Sequence, residues 1–159
     1  MELILDLGSG ACKGCLIQRS TAGAPVVLYQ REIVCLLGQA VAEDLDEQRR
    51  RRSTGSSSAE MEKRRIPEAA VAKLLQAIDV LFTDASQAAR KHQPSGPIRW
   101  VAYGVCTAVY RETLNGPDVL RKIKRTFSNA SIIVATQALE GVLGYLTAAA
   151  LYRQLISDF

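Results

Sequence analysis

Histidine is nearly absent from this sequence, which contains one, and the four cysteines include a single C-x-x-C pair. A structural zinc site needs four ligands, and no second pair is present to complete one, so a zinc site is not expected. Cys12 and Cys15 also fall in a segment that we interpret as a strand, where an odd spacing directs side chains to opposite faces. The cysteines are therefore expected to be reduced, small and mostly buried.

Long hydrophobic runs are also missing. The uninterrupted apolar stretches are only a few residues long, too short for a transmembrane helix or for the core of a signal peptide. We therefore expect a cytoplasmic protein with no membrane partner. Apolar residues make up 48% and charged residues 23% of the 159 residues, which is ordinary usage for one globular domain.

Excess positive charge is small, at a formal +4, but the basic residues are unevenly placed. Seven of them lie in one short stretch: Arg49, Arg50, Arg51, Arg52, Lys63, Arg64 and Arg65. Residues 46–65 are charged, rich in serine and almost free of apolar residues, which predicts a flexible insertion. Such a stretch is ordinarily a solvated loop, although it could contact a polyanion. A nucleic-acid partner is not expected.

The predicted order of secondary-structure elements is βββαβαβα. Strands are predicted at 2–7, 12–19, 26–33, 98–105 and 131–135 from short apolar runs bounded by turn residues. Helices are predicted after Pro67, after a cap at Asn115 and after a cap at Thr136. Antiparallel hairpins followed by βα repeats predict one α/β domain over 1–159, with a mixed five-stranded sheet and helices packed against it.

A Gly-Ser-Gly turn after the first strand is the first candidate for a function. A Rossmann fingerprint would have to open a helix here, and the sequence contains no Walker motif. What remains is a hairpin turn, Gly8-Ser9-Gly10, whose backbone N–H groups can approach an anion, with the charge of Lys13 nearby. A plain hairpin would explain the glycines equally well.

Four segments carry a resemblance to known proteins. DLGSGACKGCLI (6–17) resembles the first phosphate loop of the actin-like ATPase superfamily. Three others are similar to motifs of exopolyphosphatases and guanosine pentaphosphate phosphohydrolases, the Ppx/GppA family: REIVCLLGQ (31–39), YGVCTAVYRETLN (103–115) and IIVATQALEGVLGYLTA (132–148). The motifs occur in the family's order and cover nearly the whole chain. They imply the family's amino-terminal domain, with the ribonuclease-H-like fold of the actin-like ATPases.

The resemblance implies Mg²⁺-assisted release of terminal phosphate from inorganic polyphosphate or guanosine pentaphosphate. The implied site residues are Asp6 for the metal, Gly8, Ser9, Gly10, Lys13 and Arg111 for phosphate, and Glu140 as the catalytic base. Glu140 is the only acid left of the family's acidic cluster. The family's second phosphate loop, a D-x-G-G-G-S run, does not occur in the sequence. A second domain or a partner chain is therefore expected to complete the cleft.

Two alternatives to this reaction remain open. An actin-like or sugar-kinase-like ATP site is favoured by the Gly-Ser-Gly-x-Cys-Lys sequence. A domain without turnover could instead bind anions, a partner protein or a second copy, in which case an exposed apolar face is expected. Arg111 alone would pass for an ordinary surface arginine, and Glu140 for a carboxylate that the helix dipole favours at a helix start.

Overall fold

The computed structural model describes residues 1–19, 24–53 and 64–157. The strands are β1 (Glu2–Leu7), β2 (Ala11–Gln18), β3 (Val26–Val34), β4 (Val101–Cys106) and β5 (Ala130–Val134). The helices are α1 (Leu37–Ser53), α2 (Glu68–His92), α3 (Ala108–Glu112), α4 (Gly116–Thr126) and α5 (Gln137–Ser157). The sheet order is β3-β2-β1-β4-β5. Because β1, β2 and β3 are antiparallel while β1, β4 and β5 are parallel, the predicted mixed α/β sheet is confirmed.

One face of the sheet packs against helices. In β1 the residues alternate, so that Leu3, Leu5 and Leu7 are buried while the side chains between them are exposed. Helix α2 lies over β2 and β3, and a Cβ on Gly14 would come within 3.1 Å of Leu81 Cδ2. The glycine therefore lets the helix approach the strand closely. Burying a leucine such as Leu81 contributes roughly 2 kcal/mol to the stability of this layer.

The other face of the sheet is open. Ile4, Val101, Tyr103 and Ile133 all belong to it and are 43%, 48%, 48% and 51% exposed. Helix α5 also leaves apolar side chains in solvent, including Tyr145, which is 72% exposed. Within the described residues, neither α5 nor any other helix is both long enough and apolar enough to cross a membrane.

The prediction of a flexible insertion at 46–65 is wrong for its first part, because residues 46–53 belong to α1. Leu37 and Val41 are buried and Leu45 is partly buried, so a four-residue apolar spacing anchors this helix to the core. Its charged end is stabilised by i,i+4 pairs such as Arg51 with Glu47. Residues 54–63 of the predicted insertion lie outside the described residues.

The two predicted helix caps have different outcomes. Thr136 Oγ1 accepts a hydrogen bond from the Leu139 N–H at 3.1 Å, which confirms the cap of α5. Asn115 does precede α4, but its side chain makes no capping bond. It instead binds the backbone of Ile66, accepting from the N–H and donating to the carbonyl, both at 2.8 Å. Asn115 therefore fastens the segment before α2 to the start of α4.

Candidate functional site

The carboxyl ends of the parallel strands meet at one edge of the sheet. Cys106 lies between Leu7 of β1 and Val134 of β5 in the strand register. The Thr107 N–H donates to the Leu7 carbonyl at 3.4 Å, and the Ala135 N–H donates to the Cys106 carbonyl at 2.9 Å. The glycine hairpin, α3 and α5 all begin here. In sheets with parallel strands this edge is where ligands commonly bind.

The Gly8-Ser9-Gly10 hairpin is held from behind by the start of α1. The Gly38 N–H donates to the Ser9 carbonyl at 2.9 Å, and the Leu36 N–H donates to the Gly10 carbonyl at 2.8 Å. These bonds occupy carbonyl oxygens that would otherwise repel an anion. Ser9 and Gly10 are exposed, so the front of the turn is accessible.

The approach of α1 to the hairpin requires unusual backbone geometry. A Cβ on Gly38 would lie in van der Waals contact with the Ser9 Cβ, at 3.4 Å, so the helix start packs directly against the turn. Leu36 has a φ of 53°, in the left-handed region that a branched side chain rarely occupies. Strain of this kind is common where a backbone is held in a functional arrangement.

Asp6 and Lys13 lie beside the hairpin on the open face of the sheet. They are opposite each other in the β1–β2 register, and both are exposed. A Cβ on Gly8 would lie 4.0 Å from Asp6 Oδ1, so the carboxylate reaches back to the turn. Lys13 Nζ lies 3.9 Å from Glu32 Oε2. The structure therefore brings both predicted residues to the hairpin, with the lysine directed towards β3.

Arg111 and Glu140 form a two-bonded ion pair at the same edge. Arg111 Nη1 lies 3.0 Å from Glu140 Oε1, and Nη2 lies 3.3 Å from Oε2. The guanidinium also donates to the Ala135 carbonyl. Arg111 comes from α3 after β4, and Glu140 from the first turn of α5 after β5. Adjacent parallel strands thus bring together two residues that are 29 positions apart in the sequence.

This pairing shifts the pKa of both groups. The hydrogen bond from Arg111 lowers the pKa of the Glu140 carboxyl, and the Ala108 backbone lowers it further. In turn, the hydrogen bond to Glu140 raises the pKa of Arg111. Both groups are charged at neutral pH, so their charges largely cancel. A carboxylate whose pKa is lowered is also a weaker base, so Glu140 is poorly prepared for proton abstraction while Arg111 holds it.

A pocket of about 280 Å³ connects the hairpin with α3. Ser9 and Gly38 line one side, and Ala108 and Glu112 line the other. Arg64 also lines it, with its Nη1 3.4 Å from Glu112 Oε2. The hairpin and the helix that carries Arg111 therefore border one concave surface. Arg64 was not predicted as a site residue, and its only signal in the sequence is membership of the basic stretch.

Comparisons with known proteins identify the fold. No family model matches the chain, and no curated protein sequence matches it. A type II variant crystal structure of the Aquifex aeolicus Ppx/GppA phosphatase matches with a TM-score of 0.53 and 18% identity, over 86% of this chain and 36% of that chain. Another Aquifex aeolicus family structure matches with a TM-score of 0.54 and 16% identity, over 86% of this chain and 35% of that chain. This chain has the Ppx/GppA fold.

An exopolyphosphatase from Cytophaga hutchinsonii supports the same fold, with a TM-score of 0.54 and 14% identity over 84% of this chain and 34% of that chain. The resemblance inferred from four sequence motifs is thus confirmed at the level of the fold. The chain spans about a third of the length of these solved proteins. The roles of Asp6, the hairpin, Lys13, Arg111 and Glu140 stay predictions.

Proposed function

We propose that the chain forms the phosphate-holding part of a phosphohydrolase that releases terminal phosphate from inorganic polyphosphate or guanosine pentaphosphate. The observation that carries the proposal is the pairing of Arg111 with Glu140 at the carboxyl-terminal edge of the parallel strands, from which the glycine hairpin also extends. The Ppx/GppA fold supports it, since the similar solved proteins include a phosphatase and an exopolyphosphatase. A second domain or a partner chain would complete the cleft.

In this proposal a phosphate group replaces Glu140 as the partner of Arg111. The guanidinium fork that now holds two carboxylate oxygens can hold two phosphate oxygens in the same way. Once Arg111 turns to the substrate, the pKa of Glu140 returns towards its ordinary range. The freed carboxylate can then orient the attacking water and accept its proton. Substrate binding would therefore activate the base.

The hairpin and Asp6 would help to neutralise the negative charge of the phosphate groups that Arg111 does not hold. The N–H groups of the exposed turn, with Lys13, would contact phosphate oxygens. The described residues contain no cluster of three or more His, Cys, Asp or Glu side chains that could hold a metal. A single carboxylate nevertheless fits Mg²⁺, which commonly uses one or two protein carboxylates with substrate oxygens and water. The ion would neutralise charge on the phosphate oxygens.

A binding titration tests the proposal on the chain as it stands. Polyphosphate of defined length is titrated with Mg²⁺ into the chain, with binding followed by calorimetry and by backbone amide shifts. We expect shifts at Gly8 to Gly10, and Arg111→Ala should weaken binding by about 10- to 100-fold. The matched control is Arg19→Ala, because Arg19 forms an ion pair with Glu2 at the opposite edge of the sheet. Equal binding by Arg111→Ala and the parent chain would reject the assignment of Arg111.

The same titration with ATP distinguishes the proposal from its principal alternative, an actin-like or sugar-kinase-like ATP site. ATP binding with no polyphosphate binding would replace the proposal by an actin-like nucleotide site. Phosphate release from the chain alone is a stricter test, because the solved proteins are roughly three times longer. We expect turnover to require the second domain or a partner chain, and binding to persist without it.

The open face of the sheet favours a second function, namely binding a protein partner. Ile4, Val101, Tyr103 and Ile133 are each about half exposed on this face, and an exposed apolar surface commonly marks a site of protein interaction. A second copy of the chain is the simplest partner to test, by light scattering at increasing concentration. Tyr103→Glu should abolish any dimer, whereas Leu114→Glu should not, because Leu114 is 54% exposed and lies outside the sheet. A dimer that survives Tyr103→Glu would locate the contact elsewhere.

A further inference from the structure

Two buried thiols lie together directly behind the glycine hairpin. Cys12 Sγ and Cys35 Sγ are 3.3 Å apart, and both cysteines are free. Cys12 is 0% exposed and Cys35 is 6% exposed. Cys12 belongs to β2, which leaves the hairpin, and Cys35 lies between β3 and α1, where its N–H donates to the Gly10 carbonyl at 2.9 Å. The pair therefore joins the two segments that hold the hairpin in place.

The two sulfur atoms differ in their access and in their ionisation. Cys35 lines an open pocket of about 440 Å³ together with Gln39 and Lys73, so a small solute can reach its side. The hydrogen bond with Cys12 lowers the pKa of Cys35, while the same contact and burial raise the pKa of Cys12. Cys35 is therefore the more readily ionised thiol of the pair, and the thiolate is the reactive form of cysteine.

We propose that Cys12 and Cys35 form a reversible disulfide on reaction with a hydroperoxide, which fastens the hairpin strand to the start of α1. The Cys35 thiolate attacks one peroxide oxygen, the O–O bond breaks, and Cys35 becomes a sulfenic acid. Cys12 then attacks that sulfur and forms the S–S bond. Its proton joins the departing hydroxide as water. With hydrogen peroxide, the two thiols together lose two electrons, and two molecules of water are released.

Geometry favours this pair over the other cysteines. A disulfide bond is about 2.05 Å long, so the sulfur atoms must approach each other by little more than an ångström from 3.3 Å. Cys15 is excluded as a partner of Cys12 because they point to opposite faces of β2. Cys106 is fully buried, and burial raises its pKa to about 12, which keeps it protonated. Cys35 is thus the first cysteine to react and Cys12 the nearest to resolve it.

Trypsin separates the candidate cysteines, which makes the test direct. Cys12 lies in peptide 1–13, Cys35 in peptide 32–49 and Cys106 in peptide 100–111, while Cys15 falls after Lys13 in another peptide. The full chain is treated with hydrogen peroxide, its remaining thiols are alkylated under denaturing conditions, and the digest is analysed by mass spectrometry without and with a dithiol reductant. We expect two of the four thiols to disappear and a linked 1–13/32–49 peptide that reductant separates.

Variants keep the test falsifiable if one of them folds poorly. Cys35→Ser and Cys12→Ala should each abolish the linked peptide, whereas Cys15→Ser and Cys106→Ser should retain it. Circular dichroism confirms that each variant is folded before oxidation. In the parent chain, amide exchange at Gly10 and Cys35 should slow by several-fold on oxidation, because the crosslink limits opening of the segments that flank the hairpin.

Three results would overturn the proposal. They are a 1–13 peptide linked to 100–111 instead, oxidation of Cys35 to the sulfinic acid without any linked peptide, and the full retention of free thiols in peroxide. None of these outcomes depends on phosphate binding. The disulfide and the hydrolase proposals can therefore fail independently.

Discussion

Removing the charge of Glu140 should strengthen phosphate binding while it slows hydrolysis. Glu140→Gln keeps the size of the side chain but removes the carboxylate that pairs with Arg111 and that, in the proposed function, would compete with phosphate for it. The side chains of Arg111 and Glu140 are 27% and 30% exposed. Solvent therefore screens the ion pair, and its formation lowers the affinity for phosphate only slightly. The apparent dissociation constant of a ligand that must displace such a partner is the intrinsic constant divided by the fraction of chains in which Arg111 is not paired. We expect the affinity of Glu140→Gln for polyphosphate to rise by about two- to five-fold.

Calorimetry at two salt concentrations measures this gain. Because the lost interaction is electrostatic and partly exposed, the difference between Glu140→Gln and the parent chain should shrink as ionic strength rises. Glu2→Gln is the matched control, since Glu2 Oε1 lies 2.8 Å from Arg19 Nε at the far edge of the sheet. It removes the same charge from the whole chain without freeing Arg111. Its affinity should rise much less.

Opposite effects on binding and turnover distinguish this mechanism from simple damage. In a completed enzyme, Glu140→Gln should hydrolyse polyphosphate at least about 100-fold more slowly, since the proposed general base is lost. Arg111→Ala should instead weaken both binding and turnover. If Glu140→Gln bound polyphosphate more weakly than the parent chain did, the competition between carboxylate and phosphate for Arg111 would be refuted.

Three further predictions concern stability and ionisation. Asn115→Ala removes both hydrogen bonds to the backbone of Ile66 and should lower the free energy of unfolding in urea by about 2 kcal/mol. Asn115→Asp should have an intermediate effect because it keeps the acceptor. A loss near zero would show that the side chain does not fasten this segment. Leu36→Gly relieves a φ of 53° and should stabilise the chain by up to about 1 kcal/mol, whereas Val34→Gly, on the neighbouring strand, should destabilise it. The lowered pKa of Glu140 means that the stabilisation from its ion pair is present at neutral pH and is lost as pH falls through that lowered value. Arg111→Ala should return the pKa of the Glu140 carboxyl, followed by NMR, to the ordinary glutamate range.

The sheet and α2 could be predicted because their burial follows a local period. Leu3, Leu5 and Leu7 alternate with exposed residues in β1, as a half-buried strand requires. Helix α1 was missed because its second half is so highly charged that composition outweighed the apolar spacing of Leu37 and Val41 at its start. The charges are compatible with a helix once those two residues are anchored in the core.

Helix α3 was missed for a different reason. It has only five residues, which is too short to form by itself, so its helical state depends on contacts from elsewhere. The Thr113 hydroxyl donates to the Val109 carbonyl at 2.7 Å, and the Leu114 N–H donates to the Arg64 carbonyl at 2.9 Å. The second of these partners is distant in the sequence, and so is the partner of Asn115. Local patterns carry no information about such bonds.

The sequence also could not predict that Arg111 and Glu140 pair with each other at the candidate site. The motifs predicted Arg111 as a phosphate ligand and Glu140 as a base, which are roles that the two side chains would perform on a bound substrate. The structure shows these two groups bound to each other, since an arginine fork readily holds two oxygens of a neighbouring carboxylate. In the proposed function, Arg111 would have to exchange this carboxylate for a phosphate before Glu140 could accept a proton. On that proposal, the pair would lower the affinity for phosphate and would also keep Glu140 a weak base until a phosphate is bound.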